Sequence, residues 1–212
     1  MHTNDLIRAL DADARWRSPP LSAVWWSAAV ASTVVAAVAF FVLLGPRPDI
    51  AQAAETLRFL FKFVVTMTLV TGAFLLARKL SRPGENMGGT WPWLAVAPAL
   101  LVAAVALELV TVPSGEWAAR WIGTNSRVCL TYIPLIGIVP LAVFIAAFRY
   151  GAPTRPALSG AVAGLLAGGI AATFYAAQCT DDSPLFVATW YPIAIGALAV
   201  LGAAIGKIAL RW

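Results

Sequence analysis

Apolar positions run along this chain in long unbroken blocks with short polar punctuation between them. Six blocks stand out, at residues 21–44, 57–77, 91–112, 130–148, 158–177 and 186–210. Each has about the 20 residues that a helix needs to cross a ~30 Å hydrocarbon layer at 1.5 Å per residue. A lipid-facing backbone must satisfy its own polar groups, so continuous blocks of this length predict helices. Barrel strands would show short alternating segments instead. Pro, Gly and charged residues bound the blocks, as in Gly45-Pro46-Arg47-Pro48, Arg82-Pro83-Gly84 and Gly151-Ala152-Pro153. The pattern predicts an all-α integral membrane protein, a bundle of six transmembrane helices.

Composition agrees. Of 212 residues, 60% are hydrophobic and 12% charged, about half the charged share of a soluble domain. The placement of that charge sets a direction. Arg8, Arg15 and Arg17 precede the first block; Arg78, Lys79 and Arg82 follow the second; Arg149 and Arg155 follow the fourth; Lys207 and Arg211 end the chain. The alternate connections carry Arg47, Arg120 and Arg127, with Asp181 and Asp182 before the last block. The positive-inside rule then predicts an N-in/C-in topology, with both termini cytoplasmic. The pI of about 9.7 is a topology signal; no soluble basic face is left for direct nucleic-acid binding. The first block follows about twenty polar residues and is too long for a cleaved signal.

Two regions divide the chain: a cytoplasmic head, 1–20, and a membrane domain, 21–212. In the head, Thr3 or Asn4 caps a helix with Asp5 in its first turn, Leu6, Ile7 and Leu10 form one apolar face, and Pro19-Pro20 stops it. So short a helix is marginal alone. It requires a surface, either the lipid interface or a partner groove. The longest outer connection, 113–128, reads as an amphipathic stretch carrying Trp117, Arg120 and Trp121. Trp25, Trp26, Trp91, Trp93, Trp190 and Trp212 fall near block ends, where interfacial indoles form a belt. Gly160, Gly164 and Gly168 share one face of the fifth helix and predict close packing against a neighbouring helix.

Candidate chemistry is sparse. The two cysteines, Cys129 and Cys179, lie fifty residues apart, yet at one depth on the outer side of consecutive helices. They suit a structural disulfide, a redox switch, or a soft-metal site with Asp181 and Asp182 beside it. Lys62 and Glu108 fall at similar depth near the outer ends of the second and third helices, and the cost of a charge in lipid predicts that they pair, or else that Lys62 snorkels to the outer headgroups. Catalysis finds no machinery. The only histidine is His2, and no metalloprotease, hydrolase or phosphate-loop motif is present. No enzyme activity, no resident cofactor and no small-molecule substrate is expected. A small transporter or channel, with Lys62 and Glu108 lining a path, is the rival class.

Three stretches bear a resemblance to a known family. They are Thr3-Asn4-Asp5-Leu6-Ile7 with Leu10, then Gly45-Pro46-Arg47-Pro48-Asp49, and then Cys179-Thr180-Asp181-Asp182-Ser183-Pro184-Leu185-Phe186 leading into Trp190-Tyr191. With six spans, a short head and a terminal Arg-Trp, the chain resembles the NrsF family, membrane anti-sigma factors named negative regulator of sigma F. Where that family commonly carries histidine before the second cysteine, Gln178 stands here. The resemblance implies that the head, through Asp5, Leu6, Ile7 and Leu10, holds an extracytoplasmic-function (ECF) sigma factor at the membrane. It also implies that Cys129 and Cys179 sense envelope stress, a heavy metal or an oxidant, with at most a transient metal ion as ligand. The implied partners are that sigma factor and the lipid bilayer.

Overall fold

The computed structural model of the chain describes residues 3–5, 7–8, 19–85 and 88–211. Among them there is no strand, and six helices are long and apolar enough to cross a membrane. In chain order the elements are α1 (Leu21–Leu43), a short α2 (Ile50–Ala53), α3 (Leu57–Leu80), α4 (Trp91–Thr111), a 3-10 turn (Ser114–Glu116), a short α5 (Trp117–Ile122), α6 (Ser126–Phe148), α7 (Pro156–Ala176) and α8 (Pro184–Ala209). The long helices start and stop within a few residues of the apolar blocks. The widest departure is the start of α6, four residues before its block, because Ser126 and Arg127 are polar but helical. Pro98, Pro134, Pro140 and Pro192 lie inside helices. Each forfeits a backbone donor without ending its helix, which apolar spans in a bundle tolerate.

The bundle is built around α7, which packs against α1, α3, α6 and α8, while α4 rests at the periphery on α3 and α8. Side-chain size explains this. Helices in lipid gain little from hiding apolar surface from one another, so they associate where small residues let backbones meet. Gly160 and Gly164 of α7 face Gly202 and Leu198 of α8 so closely that a Cβ on either would collide with a backbone carbonyl opposite. Gly206 meets the carbonyl of Pro156 in the same way. The glycine face is therefore an internal seam between the fifth and sixth long helices. Gly72 of α3 similarly admits the carbonyl of Trp93 on α4.

The two ends of the bundle differ. At one end α1, α7 and their links meet α3: the Trp25 indole N–H donates to Ser81 Oγ at 3.0 Å, and the Ala152 N–H donates to the Ser81 carbonyl at 3.1 Å. Trp25 does not join an interfacial belt. It is fully buried and lies against the Phe144 and Phe148 rings at 6.1 and 4.9 Å, because the next turn of α6 and the end of α3 close over it. Trp26, Trp91 and Trp93 are exposed, as a belt requires; Trp212 lies outside the described residues. Arg78, Lys79, Arg82, Arg149, Arg155 and Lys207 also collect at this end, called the basic end below. The opposite end holds both cysteines.

In the head, Thr3, Asn4, Asp5, Ile7 and Arg8 are helical and exposed, with Ile7 57% exposed. Leu6 and Leu10 lie outside the described residues.

Candidate functional site: the polar knot at the cysteine end

The segment 177–183 joins α7 to α8 and is the centre of the site. Every residue from Cys179 to Ser183 is held from elsewhere in the chain, by four parts between them. The Cys179 carbonyl accepts from Lys62 Nζ at 2.7 Å. Thr180 Oγ1 accepts from the Asn125 side-chain amide at 2.9 Å. Asp181 accepts the backbone N–H groups of Thr124 at 3.0 Å and Asn125 at 2.8 Å, just before α6 begins. Asp182 pairs with Lys62 at 2.5 Å and with Arg47 at 3.0 Å. Ser183 donates to Glu108 at 2.8 Å.

Local sequence explains each anchor. Gly123, at φ 61°, turns the chain out of α5 and lets the Phe186 ring lie against its backbone, where any Cβ would collide. That turn aims the Thr124 and Asn125 amides at Asp181. Pro46-Arg47-Pro48 stiffens the link after α1, and the Arg47 N–H donates to the Ala177 carbonyl at 3.1 Å. The Arg47 guanidinium then spans Asp49, at 2.7 Å from each nitrogen it offers, and Asp182. The hydrogen-bonded guanidinium holds the Asp49 carboxyl below its ordinary range. Thr56 caps α3, its Oγ1 accepting from the Phe59 N–H at 3.4 Å, and this places Lys62 one and a half turns inside.

The expected Lys62–Glu108 pair does not form. Lys62 is completely buried and takes Asp182; Glu108, 3% exposed, takes Arg120 at 3.3 Å and Arg58 at 3.9 Å. Depth alone brought the two together on paper, but the charged loops offer each a nearer partner. Glu108 also accepts from the Leu185 N–H at 3.1 Å. It thus caps the first turn of α8, whose own N-cap residue, Ser183, makes no cap hydrogen bond to α8. Pro184 opens α8, where its missing N–H costs nothing, whereas the cap from another helix carries no sequence signal.

Beneath this knot sit the thiols. Cys129, in the first turn of α6, and Cys179 are both free and fully buried. They lie within electrostatic reach of each other and of Tyr175 and Tyr191, whose rings meet edge-on at 5.8 Å. The Cys179 Sγ approaches the Asp181 carbonyl at 3.7 Å. Burial pushes the Cys179 thiol above its ordinary range, against the opposing pull of Lys62. The thiolate is the nucleophile and the metal ligand, so a closed knot keeps this thiol quiet. Asp181 and Asp182 face away into their own partners. Among the described residues no group of three or more His, Cys, Asp or Glu side chains is placed to hold a metal ion.

Comparison with known proteins gives the geometry its context. The family model described as "Negative regulator of sigma F" matches residues 10–212. The chain belongs to the NrsF family. Anti-sigma-F factor NrsF of Caulobacter vibrioides is 34% identical over 216 residues, covering all of both chains, and the probable anti-sigma-F factor NrsF of Azospira oryzae is 30% identical over 222 residues, again end to end. No solved structure matches. The role of an NrsF-family protein is regulatory, not enzymatic, and an anti-sigma factor has a sigma factor as its partner.

Proposed function

We propose that this chain is an inner-membrane anti-sigma factor with six spans and both termini in the cytoplasm. It holds an ECF sigma factor away from RNA polymerase and releases it when envelope stress reaches Cys129 and Cys179. End-to-end membership of the NrsF family is the observation that carries the anti-sigma role. The exposed Ile7 supports the head, 1–17, as the docking helix: its apolar face with Leu6 and Leu10 fits a helix-in-groove contact. The inner loops 78–87 and 149–155 would join this contact.

The thiols supply the switch. Cys129 stands on α6 and Cys179 on the link after α7, both buried, and four other parts of the chain hold that link. Oxidation would join the two sulfurs in one bond, releasing two protons and passing two electrons to the oxidant. A soft metal ion would instead displace the thiol protons. Either event changes the footing of segment 177–183, and so of Lys62 on α3. The far end of α3 carries Ser81, which ties the basic-end links together. The transporter or channel reading loses its path, because Lys62 and Glu108 sit at the same end in separate ion pairs.

Sigma copurification from membranes tests the docking. Burying a leucine is worth roughly 1.5–3 kcal/mol. Leu6→Asp with Leu10→Asp is therefore expected to abolish copurification while the membrane level of the chain stays unchanged. Full repression by the double variant would place the main contact elsewhere. Reporter fusions after residues 85 and 152 are expected to read cytoplasmic, and those after 49 and 182 extracytoplasmic; the reverse at 182 would sink the switch.

A further inference from the structure

A groove of about 450 Å³ opens on the flank of the bundle between α1, α3 and α7. Trp26, Met67, Val70 and Phe174 contribute to its walls. The hydroxyls of Thr33, Thr71 and Thr173 also line it, but each bonds back to a carbonyl one turn earlier in its own helix, at 2.8–2.9 Å. Their polarity is spent, so the groove makes no demand on a polar ligand. Its volume falls within the ~300–1,000 Å³ of ordinary ligand sites.

The groove ends at Arg78, which lies over the Phe74 ring at 5.9 Å, with Trp26 against the same ring at 5.1 Å. Arg78 also lines a second, smaller pocket of about 190 Å³ with Lys79, Arg82 and Glu85. Glu85 approaches Arg82 at 3.8 Å, and among the described residues no carboxylate pairs with Arg78. Arg78 is thus a cation at the mouth of the groove with no carboxylate partner among the described residues. An apolar trench therefore runs straight into a cationic pocket, with Arg78 shared by both.

We infer that this is a binding site for one anionic phospholipid, an acyl chain in the groove and the phosphate at Arg78. A guanidinium is suited to that phosphate, being weakly hydrated and forked. Basic pockets between helices on the cytoplasmic side hold anionic headgroups in this way. The inference rests on the membrane reading above and on the basic end facing the cytoplasm. It places a lipid beside Arg82, at the end of the same helix that carries Lys62.

The test uses the full chain, purified without a sigma factor and reconstituted in nanodiscs of phosphatidylethanolamine with a minority of phosphatidylglycerol. Native mass spectrometry after release into detergent counts retained lipids. The wild type is expected to keep phosphatidylglycerol in preference to phosphatidylethanolamine by about tenfold or more. Arg78→Gln is expected to erase the preference while still retaining lipid. Thr71→Phe, at an exposed groove position, is expected to lose both lipids by filling the trench. Lys207→Gln, a cation of the same end outside the groove, is expected to behave as the wild type. Equal retention of the two lipids by the wild type, or a loss in Lys207→Gln equal to that in Arg78→Gln, would overturn the site. So would a second copy of the chain found in the groove. Extraction of the chain from membranes by alkaline carbonate would overturn the membrane reading itself, and this inference with it.

Discussion

The two ends of the bundle treat charge in opposite ways. At the cysteine end Lys62, Glu108, Arg47, Asp181 and Asp182 are all matched to partners on other elements, and Lys62 and Glu108 are buried. At the basic end Arg82 has, among the described residues, a loose partner 3.8 Å away on its own link, and Arg149 and Arg155 stand exposed at the ends of α6 and α7. A surface built of exposed cations on short links is suited to meeting something else. A closed set of buried pairs over two silent thiols is suited to staying in one state until its chemistry changes. The difference fits the proposed division, with holding at one end and sensing at the other.

Breaking the knot should therefore cost far more than trimming the basic end. Removing one partner of a buried ion pair costs about 3–5 kcal/mol. Lys62→Met leaves Asp182 with Arg47 alone and the Cys179 carbonyl with only a long 3.5 Å bond from Arg47, and about 3 kcal/mol is expected. Arg155→Ala is expected to change stability by less than ~0.5 kcal/mol. Thermal unfolding in detergent compares them, and equal effects would erase the contrast between the ends. Glu108→Ala ranks next. It uncaps α8 and strands Ser183, and hydrogen bonds to a charged group are worth ~1.5–3 kcal/mol each. About 2 kcal/mol is expected, with Glu108→Gln intermediate.

Thiol reactivity sharpens the comparison further. Cys179 has its folded-state pKa raised by burial, so the neutral thiol is the form the knot favours. Its contribution is complete below the unfolded value of about 8.5 and is lost as pH rises beyond it. Maleimide labelling at pH 7 is expected to be at least about tenfold slower in the native protein than after denaturation. Lys62→Met, by loosening the segment, is expected to speed it. Fast labelling of the native wild type would mean that the knot is open at rest.

The sequence showed the spans well, because lipid leaves a backbone few options and long apolar runs are hard to misread. Glycines 160, 164 and 168 announced a close contact, and the shared depth of the two cysteines was legible from topology. Pairing was not. Depth placed Lys62 beside Glu108, but hydropathy carries no information about which loop folds back, and Asp182 lies on such a loop. Arg47 and Asp49, set on the same side as Asp181 and Asp182, were the available hint of a loop-to-loop charge contact. Trp25 looked like any interfacial indole until Ser81, from a helix more than fifty residues away, supplied its acceptor. The cap that Glu108 gives α8 likewise joins residues whose separation conceals the contact.

In the proposed mechanism, chemistry at the cysteine end sets sigma-factor binding at the basic end. The direct measurement is the amount of sigma factor that copurifies with the full chain from membranes, before and after an oxidant or a soft metal ion. Wild type is expected to lose about tenfold or more of its bound sigma factor, a shift of ~1.4 kcal/mol. Cys129→Ser, Cys179→Ser and the double variant are expected to share one altered response, since a two-residue switch fails when either half is lost. Release of the sigma factor from the double variant to the same extent as from wild type would contradict the account.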